Sequence, residues 1–262
     1  MAEKTSAVLP IVGDPNLASE LRARADKAAA VVPQILDAAA LLRHEDSLPQ
    51  HLALALHCTI IELFSACVLL AQYGEPTAIP ILLRSMYEAL VDLDSLLGDP
   101  SYVDRIESAN LTQMVKFERS GLIPKKDLDE FKSRLAELLK LKRGPMDLRT
   151  RCEKIGRLDE YDGLYTLFCL DTHNNGAALI DRHISEDADG KTIISVFGKY
   201  DPQVVIRRLD VGLQWLFRSA DMIHKAFKVP APQIDELAAR YEREHRERAA
   251  GNAAEGASRS AQ

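Results

Sequence analysis

Aromatic residues are scarce in this chain, and its few cysteines show no ligand-like spacing. Aromatics make up 6% of the 262 residues, with Trp215 the single tryptophan, while leucine and alanine dominate. That balance favours packed helices over a sandwich or a barrel. The four cysteines, Cys58, Cys67, Cys152 and Cys169, include no C-x-x-C pair and outline no zinc cluster. Three lie in apolar helical surroundings, and all four read as reduced thiols of a cytoplasmic protein. A net charge of −6 supplies no bulk field for gripping a nucleic-acid backbone. The opening M-A-E-K-T-S-A-V-L-P-I-V-G-D-P has too short an apolar run, and too early a proline, for a secretory signal. P-loop, G-x-G-x-x-G, H-E-x-x-H and G-x-S-x-G motifs are all missing, so no stock chemistry announces itself.

What is there is apolar and helical. Hydrophobic residues are 47% of the chain and charged ones 27%, enough for a substantial core and a well-solvated surface. Leu52 to Ala71 has about the 20 residues needed to span a bilayer, but His57 and Glu62 sit in its middle, where lipid would penalise both. It also lacks a flanking Lys/Arg cluster and an aromatic belt. A core helix surrounded by protein on nearly all sides accounts for the same composition, so no membrane partner is expected.

Helix boundaries follow from capping residues, prolines and glycines. Residues 1–15 read as an irregular lead-in, 16–230 as one helical bundle, 231–249 as a charged helix and 250–262 as a disordered tail. Asn16 caps the first helix, and Pro33 kinks or breaks it before Ile35–Arg43. A long second helix starts near Pro49 and stops at Gly74. Thr77 caps the next, which carries Pro80 in its first turn and ends at G-D-P, residues 98–100. Asp99 and Pro100 open a helix reaching about Gly121; Pro124 starts an amphipathic one closed by Gly144, and a short one covers 148–155. A further helical stretch runs from Asp159 to about Ile184, broken or bent at Asn174–Gly176. D-A-D-G before K-T-I-I-S-V-F is the one turn-plus-strand signal, so a short hairpin or loop insertion is expected near 185–200. Asp201 and Pro202 then open the last core helix. The expected fold is an all-α bundle of about eight helices around Ile79–Leu97.

Three polar groups interrupt the apolar pattern. Arg84 and Glu88 are four apart and share a helix face, with Tyr87 between them. The widest apolar stripe of that helix lies opposite, so the pair is buried only if another layer covers it. Tyr161, Tyr165, Cys169 and His173 follow at steps of four and form one stripe if their helix is continuous. Such a stripe is ordinarily core packing; its functional alternative is a hydrogen-bonding or thiolate–imidazolium site. His57 and Glu62 form the third group. The chain lacks the pair of Glu-x-x-His motifs that a di-metal bundle site requires, so no metal and no cofactor are expected. Glu62 is instead read as a carboxylate partner for Arg84 on the next antiparallel helix.

L-L-R-S-M-Y-E-A-L, after a long apolar helix ending in Y-G, resembles an uncharacterised bacterial family of helical proteins. In that family an R-S-x-x-E helix pairs with a later Y-x-x-L-S-x-x-x-H helix. Y-T-L-F-C-L-D-T-H supplies Tyr165, Cys169 and His173, with cysteine in the serine's place. The resemblance spans roughly 50–180 and implies no established activity. From the residues themselves, a ligand site is expected among Arg84, Glu88, Tyr87, Tyr165, Cys169, His173 and Glu62. A second similarity is to the HEPN class of bundles, many of them metal-independent ribonucleases, marked by an arginine, four to six residues, then histidine. Arg218 to His224 and Arg240 to His245 fit loosely. The first expectation is therefore a cytoplasmic binding or regulatory module for a small ligand or anion. The alternative is a HEPN-like homodimeric ribonuclease in stress response, phage defence or a toxin–antitoxin pair. In it His173 or His224 would be general base and Arg218 would stabilise the transition state on RNA. A third reading gives the polar group no ligand and only the task of fixing helix register.

Overall fold

In the computed structural model the described residues are 15–43, 45–172, 180, 184–186, 190–194 and 200–260. They form an all-α bundle with one small hairpin. Helix α1 spans Pro15–Ala29 and α2 Val31–Ala39. Asn16 lies inside α1 rather than capping it, and the break falls at Ala30, not Pro33. The proline ring clashes with the carbonyl four residues back, so the chain ends one helix and places Pro33 in the first turn of the next.

Helix α3, Leu48–Gln72, carries Pro49 in its first turn, where the sequence indicates a start, and follows Ser47. It closes through Gly74 at φ +73°, where the Glu75 N–H reaches the Leu70 carbonyl at 2.8 Å, satisfying a terminal acceptor. A single 3₁₀ turn, Pro76–Ala78, precedes α4, Ile79–Gly98; Thr77 is exposed within that turn and caps nothing, while Pro80 occupies the first turn of α4. Asp99 accepts the Ser101 N–H at 2.9 Å and launches the short turn into α5, Val103–Lys116. Helix α6, Lys125–Lys140, packs on α5. Its closing residue is Lys142 at φ +58°, two positions before the expected Gly144.

Asp147 caps α7, Leu148–Lys154, by accepting the Thr150 N–H at 2.8 Å. A short turn at Leu158–Glu160 runs into a π turn, Tyr161–Tyr165, and then α8, Thr166–Thr172. Strands β1 (Ile184–Glu186) and β2 (Thr192–Ile194) pair antiparallel, with Gly190 at φ +79° between them. Ile184 thus opens a strand instead of ending a helix. The expected bend at 174–176 lies outside the described residues. Helix α9, Pro202–Ala226, is capped by Asp201, and α10 runs Pro232–Ser260. Residues 250–260, read as a disordered tail, continue α10, in keeping with the helix propensity of their alanines.

Helix α4 packs on α3, α9, α7 and α8 at once, and α1 closes the groove between α3 and α9. Phe64 of α3, Leu83, Met86, Leu90 and Leu93 of α4, and Leu213, Leu216 and Ile223 of α9 are fully buried between them. Gly212 lets the three helices approach. A Cβ there would lie 2.8 Å from Leu83 Cδ2 and 3.0 Å from Phe64 Cδ2. Trp215 packs edge-on to Phe168 and against Tyr87, tying α9 to α8 and α4.

The expectation of a second helix enclosed on nearly all sides is corrected. By length and composition α3 is the one helix among the described residues apolar enough to cross a membrane, yet only 39% of its most apolar window is buried. His57, Ile60, Ile61, Phe64, Cys67 and Val68 face inward, while Ala55, Cys58, Thr59, Glu62, Leu69 and Tyr73 face out.

Candidate functional site

The polar face of α4 is covered by short helices, not by a long one, and that is where its charges are held. Arg84 and Glu88 project from successive turns of α4 toward the π turn. The Tyr165 hydroxyl donates to Glu88 Oε1 at 2.9 Å and accepts from Arg84 Nε at 3.0 Å. Arg84 Nε also lies 3.2 Å from Glu88 Oε1, so the three groups close a triangle. Side-chain exposure is 30% for Arg84 and 39% for Glu88, between the solvated and the buried reading of the sequence. The Arg84 guanidinium carbon lies 5.3 Å from the Tyr165 ring centre, and Tyr161 stacks on Tyr165 at 5.1 Å. A π turn adds a residue to the helical turn and so re-aims the side chains at its exit; here the re-aimed residue is Tyr165. Burial and the Glu88 carboxylate raise the Tyr165 phenol above its ordinary range, against the pull of Arg84, so it is a proton donor at neutral pH. Burial opposes the Arg84 charge, but Tyr165, Cys169 and Glu88 outweigh it and hold the guanidinium above its usual value. Cys169, one turn beyond Tyr165, is half-buried.

The other candidates separate. His173 lies outside the described residues. Glu62 is exposed on the outer face of α3 and does not meet Arg84, whose carboxylate partner is Glu88. His57 and Glu62, five residues apart, point about 140° from each other, so one had to face the core and the other solvent. Tyr87 is fully buried and turned inward, its hydroxyl 3.5 Å from Cys152 Sγ and from the Arg157 carbonyl. Arg218 is held in an ion-pair square, bonding Glu160 at 2.9 and 3.2 Å and Asp94 at 3.4 Å, while Arg157 bonds Asp94 at 2.7 Å and Glu160 at 3.1 Å. His224 is a core residue whose Nδ1 donates to the Val229 carbonyl at 3.0 Å. The pair proposed for ribonuclease chemistry is thus divided between a salt-bridge network and a helix terminus. Among the described residues, no three His, Cys, Asp or Glu side chains come together in a way that could hold a metal ion.

Two further networks escaped the sequence reading. Asp92 takes the Tyr102 hydroxyl at 2.7 Å and pairs with Arg151. Arg24 bonds Asp210 at 2.7 Å, both nearly sealed from solvent, with His245 at 3.2 Å and Arg248 at 3.6 Å on the other carboxylate oxygen. Tyr241 underlies Arg24 at 4.2 Å. The available signal for Asp210 was a charged residue inside an otherwise apolar face, among Ile206, Leu209 and Leu213 on α9; for Asp92 and Asp94 it was the continuation of the polar face of α4 beyond Glu88.

The segment holding both halves of the triangle is the one that a family model matches, residues 50–192. The chain belongs to DUF5677, a family of unknown function. No curated protein and no solved structure matches it. The DUF5677 segment runs from the first turn of α3 to the first residue of β2, and therefore holds Arg84, Glu88, Tyr165, the Asp92–Arg151 pair and, of the Asp94 square, Asp94, Arg157 and Glu160. Helices α1, α9 and α10 lie outside it, although Asp210 and Arg24 tie α1 and α9 together and Arg218 reaches back into the square.

Proposed function

We propose that this DUF5677 protein is a cytoplasmic helical binding or regulatory module, with its site at Arg84, Glu88 and Tyr165. The observation carrying this reading is the Tyr165 hydroxyl, bonded at once to Arg84 and Glu88 on a half-exposed π turn. A purely structural ion pair needs no such bridge, and an exposed one contributes little. The ligand class follows from the donors and acceptors. A guanidinium matches a carboxylate or phosphate. Glu88 accepts from an amine or hydroxyl, and the stacked Tyr161 and Tyr165 rings offer an apolar wall. A small anion carrying a hydrogen-bond donor suits all three. His173 enters this site through the family resemblance alone. The cytoplasmic setting rests on the cysteines, of which Cys67 and Cys152 are buried free thiols and Cys58 is an exposed one.

Thermal denaturation with inorganic phosphate and a panel of small hydroxy- and amino-carboxylates tests this. A ligand at a hundred times its Kd stabilises by about 2.7 kcal/mol. The shift should vanish in Arg84→Lys, which keeps the charge and loses the planar fork, and shrink in Glu88→Gln. An unmoved melting temperature across the panel, or an equal shift in Arg84→Lys, would refute the reading. No observation favours ribonuclease chemistry at Arg218 and His224, where the arginine is saturated with carboxylates and the histidine is buried.

A further inference from the structure

A cleft of about 260 Å³ opens where the α1–α2 junction meets α9 and α10, built wholly from segments outside the DUF5677 match. Val31 of α2, Leu213 of α9 and Leu237 of α10 are buried and form its apolar floor. Arg24, Lys27, Arg240 and Tyr241 supply its polar side, with Glu244 the one carboxylate of the lining. Lys27 already donates to Glu244 at 3.3 Å. Arg240 stands four residues from both Glu236 and Glu244, yet it forms no ion pair or hydrogen bond among the described residues. Behind the lining, Asp210 is shared too widely. Its Oδ1 accepts from Arg24 Nε at 2.7 Å, and Arg24 Nη2 crowds the same oxygen at 2.6 Å without a well-formed hydrogen bond of its own. Its Oδ2 faces His245 at 3.2 Å and Arg248 Nη2 at 3.6 Å, and that nitrogen too is buried without a hydrogen bond. The hydroxyl of Tyr241, a residue 7% exposed, lies beside Asp210 and Arg24 and makes no well-formed hydrogen bond to either. Three buried donors in one cluster therefore lack an acceptor, which is rare in a folded protein.

What the cluster lacks is an anionic oxygen. We propose that this cleft binds a small aliphatic carboxylate, its oxygens held by Arg240, Arg24 and Tyr241 and its chain lying on Val31, Leu213 and Leu237. At roughly 30 Å³ for each heavy atom, as in liquid water, the cleft has room for about eight, the number in hexanoate. Arg240 brings a planar fork with no carboxylate competing for it. Burial and Asp210 raise the Tyr241 phenol above its ordinary range, so its hydroxyl is a donor at neutral pH. The charge count points the same way. Arg24, Lys27, Arg240 and Arg248 answer to two carboxylates, Asp210 and Glu244, a local positive excess in a chain whose net charge is −6. A neutral alcohol would leave Arg240 unmatched, and an alkylammonium would meet like charge. The cleft also differs from the triangle on α4, where Glu88 asks the ligand for a hydrogen-bond donor. An unsubstituted alkyl carboxylate has none to give.

Isothermal titration of the whole chain with hexanoate tests this, with hexanol and hexylamine as controls. Hexanoate should give a saturable isotherm and the two controls none. Arg240→Ala, at an exposed position that the fold does not depend on, should weaken binding by about tenfold or more, the loss of a charge-assisted pair. Tyr241→Phe keeps the ring beneath Arg24 and removes the hydroxyl, so it should weaken binding several-fold. Arg84→Lys should leave the isotherm unchanged. A silent wild type at millimolar hexanoate would overturn the proposal. So would equal binding of hexanol, or hexanoate binding that Arg240→Ala leaves intact. Binding lost in Arg84→Lys but kept in Arg240→Ala would put the carboxylate at the triangle on α4, overturning this site and supporting that one. The two sites therefore fail separately.

Discussion

Lowering the pH should unfold this protein partly through one histidine. His57 is buried at 1% exposure on the inner face of α3. Ser219 donates its hydroxyl proton to the Leu216 carbonyl at 2.8 Å, so its oxygen accepts from His57 Nδ1 at 3.1 Å. That fixes the neutral tautomer with Nε2 unprotonated in the core. Burial, aided by nearby His224, pushes the His57 imidazole down from 6.5 to about 4. The sign follows from linkage. Between those values the unfolded chain binds a proton that the folded chain refuses, so stability falls as pH falls. The contribution is complete above about pH 6.5 and lost through the window down to about pH 4. A difference of about 2.5 units at 1.36 kcal/mol each is about 3 kcal/mol in full, and about 2 kcal/mol of it is gone by pH 5. Urea denaturation at pH 7 and pH 5, followed by the buried single Trp215, measures this directly. His57→Asn keeps an N–H donor for Ser219 and cannot titrate. Carboxylates contribute equally to both proteins, so the difference between the two pH dependences isolates His57. Parallel pH profiles for wild type and His57→Asn would refute the placement of a neutral imidazole in the core.

Three other perturbations separate packing from charge. Gly212→Ala gains up to about 1 kcal/mol of helix propensity but drives a methyl against Leu83 and Phe64, and overpacking costs about 1–3 kcal/mol. A net loss of roughly 1 kcal/mol in urea denaturation is expected, and a more stable variant would show that the helices have room to part. Asp210→Asn strips the charge partner from buried Arg24 and should cost about 3–5 kcal/mol; a loss under about 1 kcal/mol would mean the cation finds solvent. Tyr165→Phe removes the hydroxyl shared by Arg84 and Glu88 while keeping the stack on Tyr161. Without ligand it should lower stability by about 1 kcal/mol, and an unchanged melting temperature would show that the triangle does not form in solution.

Much of the helical layout was legible because local residues decide it. Asp99 and Asp201 accept backbone N–H groups where they were expected to, and the prolines near helix starts fall in first turns. The D-A-D-G hairpin was legible for the same reason. Boundaries failed where a residue had two permitted positions. Pro33 can mark a break or sit in the first turn after one, and Gly144 can close a helix or simply make room for Leu139. The site was half legible. Four-residue spacing placed Arg84 with Glu88 on one face and Tyr165 near Cys169, because the π turn still brings Tyr161 onto Tyr165. The spacing carried no information on which helix covers that face. Glu62 was therefore matched to Arg84 across a presumed interior, whereas α3 turns that carboxylate to solvent. Asp210 was missed because the apolar period around it is unbroken except at that residue, and its partners stand far away along the chain at Arg24, His245 and Arg248.

The charges on the polar face of α4 also say why Arg84 and Glu88, rather than their neighbours, are the proposed site. Arg84, Arg151, Arg157 and Arg218 face Glu88, Asp92, Asp94 and Glu160, so every guanidinium on this face has a carboxylate within salt-bridge distance. Such a layer is electrically closed and needs no ligand to hold its shape. Removing one member would strand an opposite charge that is half sealed from water, which makes the Asp94 square and the Asp92 pair poor places to exchange a protein group for a ligand. Exposure grades along the helix: Arg151 and Arg218 are at 17% and 19%, whereas Arg84 is at 30% and Glu88 at 39%. At that outer end the Arg84–Glu88 contact is a surface-grade ion pair contributing about 0–1 kcal/mol. On the proposed reading, an incoming anion displaces little when it takes Arg84 from Glu88. The raised Tyr165 phenol keeps its proton at neutral pH, so in the proposed exchange its hydroxyl would remain a donor for the ligand. The inner networks hold α7 and the π turn against α4, so the fold does not depend on the outer triangle that the proposed exchange would open.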